Sequence, residues 1–162
     1  MMECDLWLLR HARAELDSPD GQDRSRILHA SGRRACTNLN RWLLASRELK
    51  LPDQVLVSPA ARTRETAELA LRDLALPVRI DPRLWLASAG ELLDLADKAC
   101  KRHSSLMLIG HNPGLEELIR HLGGTLPATG LKPGTLAVLR LTRPLGASRG
   151  RMLQLLEANE SS

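Results

Sequence analysis

The chain has 162 residues, of which 43% are hydrophobic and 26% charged, so it can bury a core and has the composition of a globular domain. Aromatic residues are scarce, with three Trp and no Phe or Tyr, which disfavours the base-stacking surface of a single-strand nucleic-acid binder. The net charge of +4 favours anionic partners, but the arginines are spread along the chain rather than gathered into a nucleic-acid patch.

Short apolar runs alternate with longer segments of helical periodicity, a pattern that predicts strands and helices in turn. Strands are predicted at residues 4–9, 54–57, 78–80, 106–109, 135–141 and 152–156. Helices are predicted within residues 31–49, 61–76, 88–102 and 113–124. Ser88 supplies a cap signal for the third helix, and the paired glycines at 123 and 124 end the fourth.

The order of these elements predicts the fold class. Strands and helices in alternation indicate an α/β domain with a mainly parallel sheet. The last two strands are joined only by "TRPLGASRG", which predicts a hairpin at the edge of the sheet. No repeat, low-complexity tract or linker interrupts the chain, so a single domain is predicted over residues 1–162. The polar segment "ELDSPDGQDRSR" is long enough to line a site.

Chemically active side chains follow three of the predicted strands. They are Arg10 and His11 after the first strand, Ser58, Arg62 and Arg64 after the second, and His111 and Asn112 after the strand at 106–109. Ligands of α/β sheets bind beyond the carboxyl ends of the strands. The sequence therefore predicts that two histidines and at least two arginines converge on one edge of the sheet.

These residue types suit the transfer of a phosphoryl group. The planar guanidinium of arginine matches phosphate oxygens with two hydrogen bonds at once. Neutral imidazole is a competent nucleophile, and a second histidine can stabilise the transferring group from the side. None of these roles requires a metal or a cofactor. No H-x-H or H-E-x-x-H spacing is present, so neither a metal nor a cofactor is predicted.

Other candidate residues have simpler interpretations. Arg64 is predicted to be solvated, and His29, His103 and His121 are predicted to be surface residues. Ser58 either lines the pocket or only ends a strand before a proline.

Three motifs carry a resemblance to a known family. Arg10-His11-Ala12, the segment "SPAARTRETAE" and the segment "GHNP" resemble the motifs of the histidine phosphatase superfamily, which has the phosphoglycerate mutase-like fold. The short chain, and RHA in place of the commoner RHG, are most similar to the SixA-type phosphohistidine phosphatases. The resemblance spans Leu6 to about Leu141. It implies a three-layer α/β fold with a mainly parallel central sheet, helices on both faces and an antiparallel edge strand.

The resemblance also implies roles for individual residues. His11 would be the nucleophile that becomes phosphorylated, Arg10 and Arg62 would hold the phosphate, and His111 would complete the pocket. The segment "DRSRILHASG" resembles a stretch of the family that shapes the mouth, which assigns Arg24 and its neighbour Asp23 there, and Asn112 is expected to contact substrate. Asp17 stands where the family often has an asparagine, and it is excluded because a carboxylate would repel phosphate.

The chain departs from many family members in its proton donor. Other branches supply a carboxylic acid from an insertion or from an aspartate after the final histidine, whereas here Asn112 follows His111 and residues 76–105 are too few for an insertion. Glu91 is the nearest candidate donor. An alkoxide leaving group needs a proton donor, whereas the imidazole of phosphohistidine can be protonated on its own ring. This difference favours phosphohistidine on a protein, such as a phosphorelay domain, as substrate. A small-molecule phosphomonoesterase and an inactive phosphate-binding module remain alternatives.

The remaining expectations concern compartment and partners. The three cysteines lie far apart without a C-x-x-C pair, which predicts neither a disulfide framework nor a zinc knuckle. The N-terminus does not resemble a signal peptide, and no apolar run reaches membrane-spanning length, so a reducing cytoplasm is predicted. The expected partner is a phosphorylated protein or small molecule, and neither nucleic acid nor membrane. The oligomeric state is left open.

Overall fold

The predicted strands and helices all form in the computed structural model, which describes residues 3–162. The strands are β1 (Glu3–Arg10), β2 (Gln54–Val57), β3 (Val78–Ile80), β4 (Ser105–Gly110), β5 (Leu136–Thr142) and β6 (Gly150–Leu156). The helices are α1 (Ala30–Ala45), α2 (Ala61–Ala70), α3 (Ala89–Cys100) and α4 (Gly114–His121). Short 3₁₀ turns at Asp23–Ser25 and Pro82–Leu84 lie in the connections.

All six strands belong to one sheet with the order β3-β2-β4-β1-β5-β6. Strands β1 to β4 pair in parallel, whereas β5 pairs antiparallel with both β1 and β6. The predicted mainly parallel sheet with a hairpin at its edge is therefore confirmed. The strand that runs against the others is β5, one position in from the edge, and β6 is the edge strand itself.

Buried side chains on the two faces of the sheet form two cores. Leu6 and Leu8 of β1 belong to a cluster with residues of α3 and α4, whereas Trp7 and Leu9 belong to a cluster with residues of α1 and α2. Successive side chains of a strand point to opposite faces, so an uninterrupted apolar run such as β1 must be covered on both sides. The three layers expected from the resemblance are confirmed.

The end of α2 differs from the prediction, whereas the start of α3 agrees with it. α2 ends at Ala70 rather than 76, and Asp73 and Ala75 then adopt positive φ of 65° and 54°, a conformation incompatible with a helix. α3 begins where predicted. The Ser88 hydroxyl accepts from the backbone N–H of Glu91, and the Glu91 carboxylate accepts from the backbone N–H of Ser88, which completes a capping box.

The prediction of no disulfide is wrong for Cys4 and Cys100, which are joined in the structure. The pairing of β1 with β4 aligns Asp5 with Ser105, and this alignment brings the start of β1 beside the end of α3, with a Cα separation of 5.9 Å. Sequence spacing could not reveal a pair that are 96 positions apart. Cys36 is a buried free thiol.

No helix within residues 3–162 is both long and apolar enough to cross a membrane.

Candidate active site

The carboxyl ends of β1, β2 and β4 meet at one edge of the sheet, and four of the predicted residues gather there. Arg10 ends β1 and His11 follows it, while His111 follows β4. Arg62 comes from the first turn of α2, which begins soon after β2 ends. The ring centroids of His11 and His111 are 5.5 Å apart, and Arg62 Nη2 lies 3.4 Å from His111 Nδ1. The convergence expected at this edge is present.

One ring nitrogen of His11 is hydrogen-bonded to the protein, and this bond determines the tautomer of the ring. It is 9% exposed, and its Nδ1 lies 2.8 Å from the carbonyl oxygen of Ala12. A carbonyl can only accept, so Nδ1 carries the proton and Nε2 keeps its lone pair. Burial lowers the pKa of His11 to about 3, and the positive charges of Arg62 and Arg10 act in the same direction. The ring is therefore neutral at physiological pH, with Nε2 available for nucleophilic attack.

Arg62 is buried and Arg10 is half-buried, and the protein satisfies the hydrogen-bonding groups of both cations only in part. Arg10 Nη1 donates to the Leu131 carbonyl at 2.9 Å, and Arg62 donates from Nη1 to the Asp23 carbonyl at 2.9 Å and from Nη2 to its carboxylate at 3.1 Å. The Nε of each guanidinium is buried without a hydrogen-bond partner among residues 3–162. Burial lowers the pKa of both groups, although they remain cations. Two such donors suit an anion with several oxygens.

His111 contacts protein through both ring nitrogens. Its Nδ1 faces Arg62 Nη2, which can only donate, so Nδ1 accepts and the proton lies on Nε2. Nε2 is 2.7 Å from Ser58 Oγ. Burial lowers the pKa of His111 to about 4, and the charge of Arg62 adds to this effect. Of the two sequence interpretations of Ser58, the structure favours the pocket.

Trp85 is a site residue that the sequence analysis missed. Its ring meets His111 edge-on at 5.3 Å, and the guanidinium carbons of Arg62 and Arg24 lie 5.6 and 5.8 Å from the ring centroid. Cations near an aromatic face are attracted by its quadrupole. Trp85 follows the 3₁₀ turn Pro82–Leu84, just beyond the carboxyl end of β3. The strand-end rule that indicates the histidines also indicates Trp85, because it follows another strand of the parallel part of the sheet.

The predicted substrate-binding residues Asn112 and Arg24 occupy different positions. Asn112 Nδ2 donates to the Leu131 carbonyl at 3.0 Å, the same oxygen that accepts from Arg10. Glu116 binds the backbone N–H of Leu131, so this segment is held from two directions. Asn112 therefore supports the position of Arg10. Arg24 is exposed and lies near Trp85 at the mouth.

The carboxylates near these residues are engaged by the protein. Partial burial acts to raise the pKa of Asp23, but hydrogen bonds from Arg26 and Arg62 outweigh it and lower the pKa below its usual range. The carboxylate of Glu91, the predicted candidate proton donor, is bound in the capping box of α3, which gives it a structural role that the prediction did not consider. Asp17 is exposed. Among the described residues, no group of three or more His, Cys, Asp or Glu is arranged to hold a metal ion.

Comparison with known sequences matches the family model of the histidine phosphatase superfamily (branch 1) to residues 6–109. An uncharacterised protein of Mycobacterium tuberculosis is 33% identical over 106 residues. That match covers 65% of this chain and 63% of the relative, so the chain spans less than two thirds of the length of that relative.

Solved structures match over a larger part of the chain. A proposed phosphohistidine phosphatase SixA from Agrobacterium tumefaciens is 30% identical with a TM-score of 0.79, covering 94% of this chain and 97% of the other. A proposed SixA from Nakamurella multipartitia is 25% identical with a TM-score of 0.78, covering 98% of each chain. An α-ribazole-5′-P phosphatase proposed for Escherichia coli shares the fold at 18% identity, with a TM-score of 0.69 and 96% coverage of each chain.

Proposed function

The chain belongs to the histidine phosphatase superfamily and resembles its SixA-type members, and from this we propose that it removes the phosphoryl group from phosphohistidine on a protein, such as a phosphorelay domain. One observation carries the proposal: a neutral His11 with a free Nε2 lies beside two guanidiniums whose buried Nε groups have no partner among residues 3–162. A cytoplasmic location and a role in signal transduction belong to the same proposal.

The first step transfers the phosphoryl group to His11. Arg10 and Arg62 hold its oxygens and offset the charge that spreads over them as the bond to the leaving group breaks. His11 Nε2 forms a bond to phosphorus while the bond between phosphorus and the substrate imidazole breaks. The substrate ring, protonated on its other nitrogen beforehand, leaves as neutral imidazole. The positive charge that develops on His11 is stabilised by the hydrogen bond from Nδ1 to the Ala12 carbonyl.

The second step returns His11 to its starting state. Water attacks phosphorus, the Nε2–phosphorus bond breaks, and both protons of the water leave with the released phosphate. His111 completes the pocket. The negative charge of the phosphoryl group raises the pKa of His111 above its unliganded value of about 4, so that Nδ1, which otherwise accepts from Arg62 Nη2, can take up a proton and donate a hydrogen bond to the transferring group.

The state of the carboxylates supports phosphohistidine over an alkyl phosphate. An alkoxide leaving group needs an acid that keeps its proton near neutral pH. Asp23 has a lowered pKa, and Glu91 is bound at the start of α3. The pKa of Glu116 is lowered by the hydrogen bond from the backbone N–H of Leu131 and by Arg120. Together they outweigh its burial, which acts to raise the pKa. Imidazole as leaving group requires none of them.

The surroundings of the mouth support a protein substrate. Leu16 is 89% exposed and Leu86 is 58% exposed, and they lie on the two loops that carry Asp23 and Trp85. Leu86 adjoins Trp85, and Leu16 belongs to the loop whose Asp23 binds Arg62. Leu86 also adopts a positive φ of 50°, a conformation that costs about 1–3 kcal/mol for a residue other than glycine. Exposed apolar side chains around a pocket are typical of a surface that binds another protein.

Trapping the intermediate tests this proposal. The protein is mixed with a ³²P-labelled phosphohistidine protein, quenched in alkali, and examined for label on His11. We expect label on the wild type and none on His11→Ala, while His121→Ala, which removes an exposed histidine, keeps it. Faster turnover of phosphohistidine than of aryl or alkyl phosphates is also expected. Better turnover of alkyl phosphates would favour a small-molecule phosphomonoesterase, and phosphate binding without label or turnover would indicate a binding module.

A further inference from the structure

Thr66 lies one turn along α2 from Arg62 and is fully buried. Its hydroxyl makes two hydrogen bonds within the protein: Oγ1 donates to the Arg62 carbonyl at 2.7 Å and accepts from the Ala12 backbone N–H at 3.0 Å. A hydroxyl has one proton, and an amide can only donate, so both roles are determined. The lone pair of Thr66 Oγ1 is thereby directed at the residue after the nucleophile.

Ala12 connects Thr66 to the imidazole of His11. Its N–H is held by Thr66, and its carbonyl oxygen accepts from His11 Nδ1 at 2.8 Å. Ala12 is itself fully buried, so water cannot replace either partner. A shift of Ala12 would therefore move the oxygen that keeps the proton on Nδ1. Without that oxygen the proton can occupy Nε2 instead, and the ring then has no lone pair facing the phosphoryl group.

We infer that Thr66 is a positioning residue, which fixes the tautomer and the orientation of His11 through Ala12. The inference rests on the proposed function only for its effect on rate, because the tautomer of His11 can be measured without substrate. Thr66 also places the nucleophile and the phosphate-binding arginine on a common support, since its hydroxyl is bonded to the Arg62 backbone. A buried hydroxyl with both partners in place is rigid, which suits the orientation of a reacting group.

Substitution of Thr66 by Val tests the inference, because valine has nearly the same shape but cannot accept a hydrogen bond. Thr66→Ser, which keeps the hydroxyl, is the rescue variant. Thr63→Val is the matched control: Thr63 is equally buried on α2, but the single proton of its hydroxyl is shared between the carbonyls of Ser58 and Ala60. Two readouts are needed, namely the ¹⁵N NMR shifts of the His11 ring and the kinetics on a phosphohistidine protein.

In Thr66→Val we expect the His11 signals to change from the Nδ1–H tautomer to a mixture, and kcat to fall about 10- to 100-fold. KM and the inhibition constant of tungstate, a tetrahedral oxyanion like phosphate, should change less than about twofold, because Arg10 and Arg62 are still present. Thr66→Ser should restore both readouts, and Thr63→Val should leave the His11 signals unchanged.

Unchanged ring signals in Thr66→Val, or a kcat within about twofold of wild type, would overturn the inference. If the valine variant does not fold, the same measurements are made on Thr66→Ala, which removes the same hydrogen-bond acceptor with a smaller side chain. Failure of the proposed function has a different signature, because the wild type itself would then form no phosphoenzyme.

Discussion

The charged side chains at the two ends of β1 differ in how fully the protein satisfies their hydrogen-bonding groups. At the amino end, the Asp5 carboxylate receives two hydrogen bonds from Arg140, at 2.8 and 3.0 Å, beside the disulfide of Cys4. At the carboxyl end, Arg10 makes one hydrogen bond to a carbonyl, and its buried Nε has no partner within residues 3–162. Both ends belong to the same strand.

This difference separates charges that hold the fold from charges that act on a ligand. A buried polar group without a partner costs about 1–3 kcal/mol, so a folded protein leaves few of them. The pairing of Asp5 with Arg140 avoids that cost within the chain. Arg10 and Arg62 keep unused hydrogen-bonding capacity in one place, which is the condition for binding an oxyanion strongly. Trp7 Nε1 and Ser105 Oγ are also buried without partners, but they are uncharged, so among the charged side chains of β1 incomplete satisfaction marks the end that holds the candidate site.

Substituting Arg62 by Gln gives the largest expected effect. In the proposed mechanism its guanidinium holds phosphoryl oxygens as charge develops on them, and the loss of one such donor costs about 100- to 1,000-fold in kcat. Steady-state kinetics on a phosphohistidine protein measure this loss. Arg140→Gln is the control at the other end of β1: it should retain kcat and lower the free energy of unfolding by about 1–2 kcal/mol. Similar kinetics for the two variants would break the comparison between the ends.

Features that depend on neighbouring residues could be predicted from the sequence. The six strands, the capping signal at Ser88 and the convergence of His11 and His111 follow from apolar periodicity and from the strand-end rule. The start of α3 also carries a second local signal. Ser88 and Glu91 have the spacing of a capping box, which explains Glu91 without any role in proton transfer.

Pairings between particular atoms of distant residues could not be predicted, although the general convergence at the sheet edge could. The partners Cys4 and Cys100 are 96 positions apart, and Asp5 and Arg140 are 135 apart, so only the strand order brings them together. The edge contact of Trp85 with His111 likewise requires knowledge of how the connection after β3 folds back over the site. Local patterns determine which residues reach the edge of the sheet, but not which of their atoms find partners.

Removing the disulfide tests the stabilising role of the amino end. A link across a long stretch of chain restricts the unfolded state, so Cys4→Ser with Cys100→Ser should lower the free energy of unfolding by about 2–4 kcal/mol. Denaturant unfolding with and without reductant measures this effect, and kcat should be retained. Cys36→Ala controls for the loss of a buried sulfur. Equal stability of the wild type with and without reductant would show that the bond contributes nothing, and would fit a reducing compartment.

The neutral histidines at the carboxyl end predict a loss of stability in acid. The pKa values of His11 and His111 are lowered from 6.5 to about 3 and about 4, so between these values the unfolded chain binds protons that the folded protein does not. Stability is therefore complete above pH 6.5 and falls as the pH drops towards the folded values. Each histidine should lower the free energy of unfolding by about 1 kcal/mol as the pH falls from 6.5 to 5.5. Urea unfolding of His11→Asn should show about half the wild-type loss, and an unchanged loss would contradict the assignment.

The smallest expected effect concerns Leu86, an exposed leucine next to Trp85 at the mouth of the site. Its substitution tests an apolar contact at the carboxyl end of the sheet, where the earlier predictions tested charged groups. Leu86→Ser should lower kcat/KM for a phosphohistidine protein about fivefold, because an exposed contact contributes about 1 kcal/mol to binding a partner. Hydrolysis of phosphoramidate, which is too small to reach Leu86 and the site at once, should be unchanged. Leu44→Ser, on α1 away from the mouth, is the control for loss of an exposed leucine. Equal losses on both substrates would mean that Leu86 supports Trp85 and the pocket, whereas a loss confined to the protein substrate would identify the loop after β3 as part of the surface that binds it.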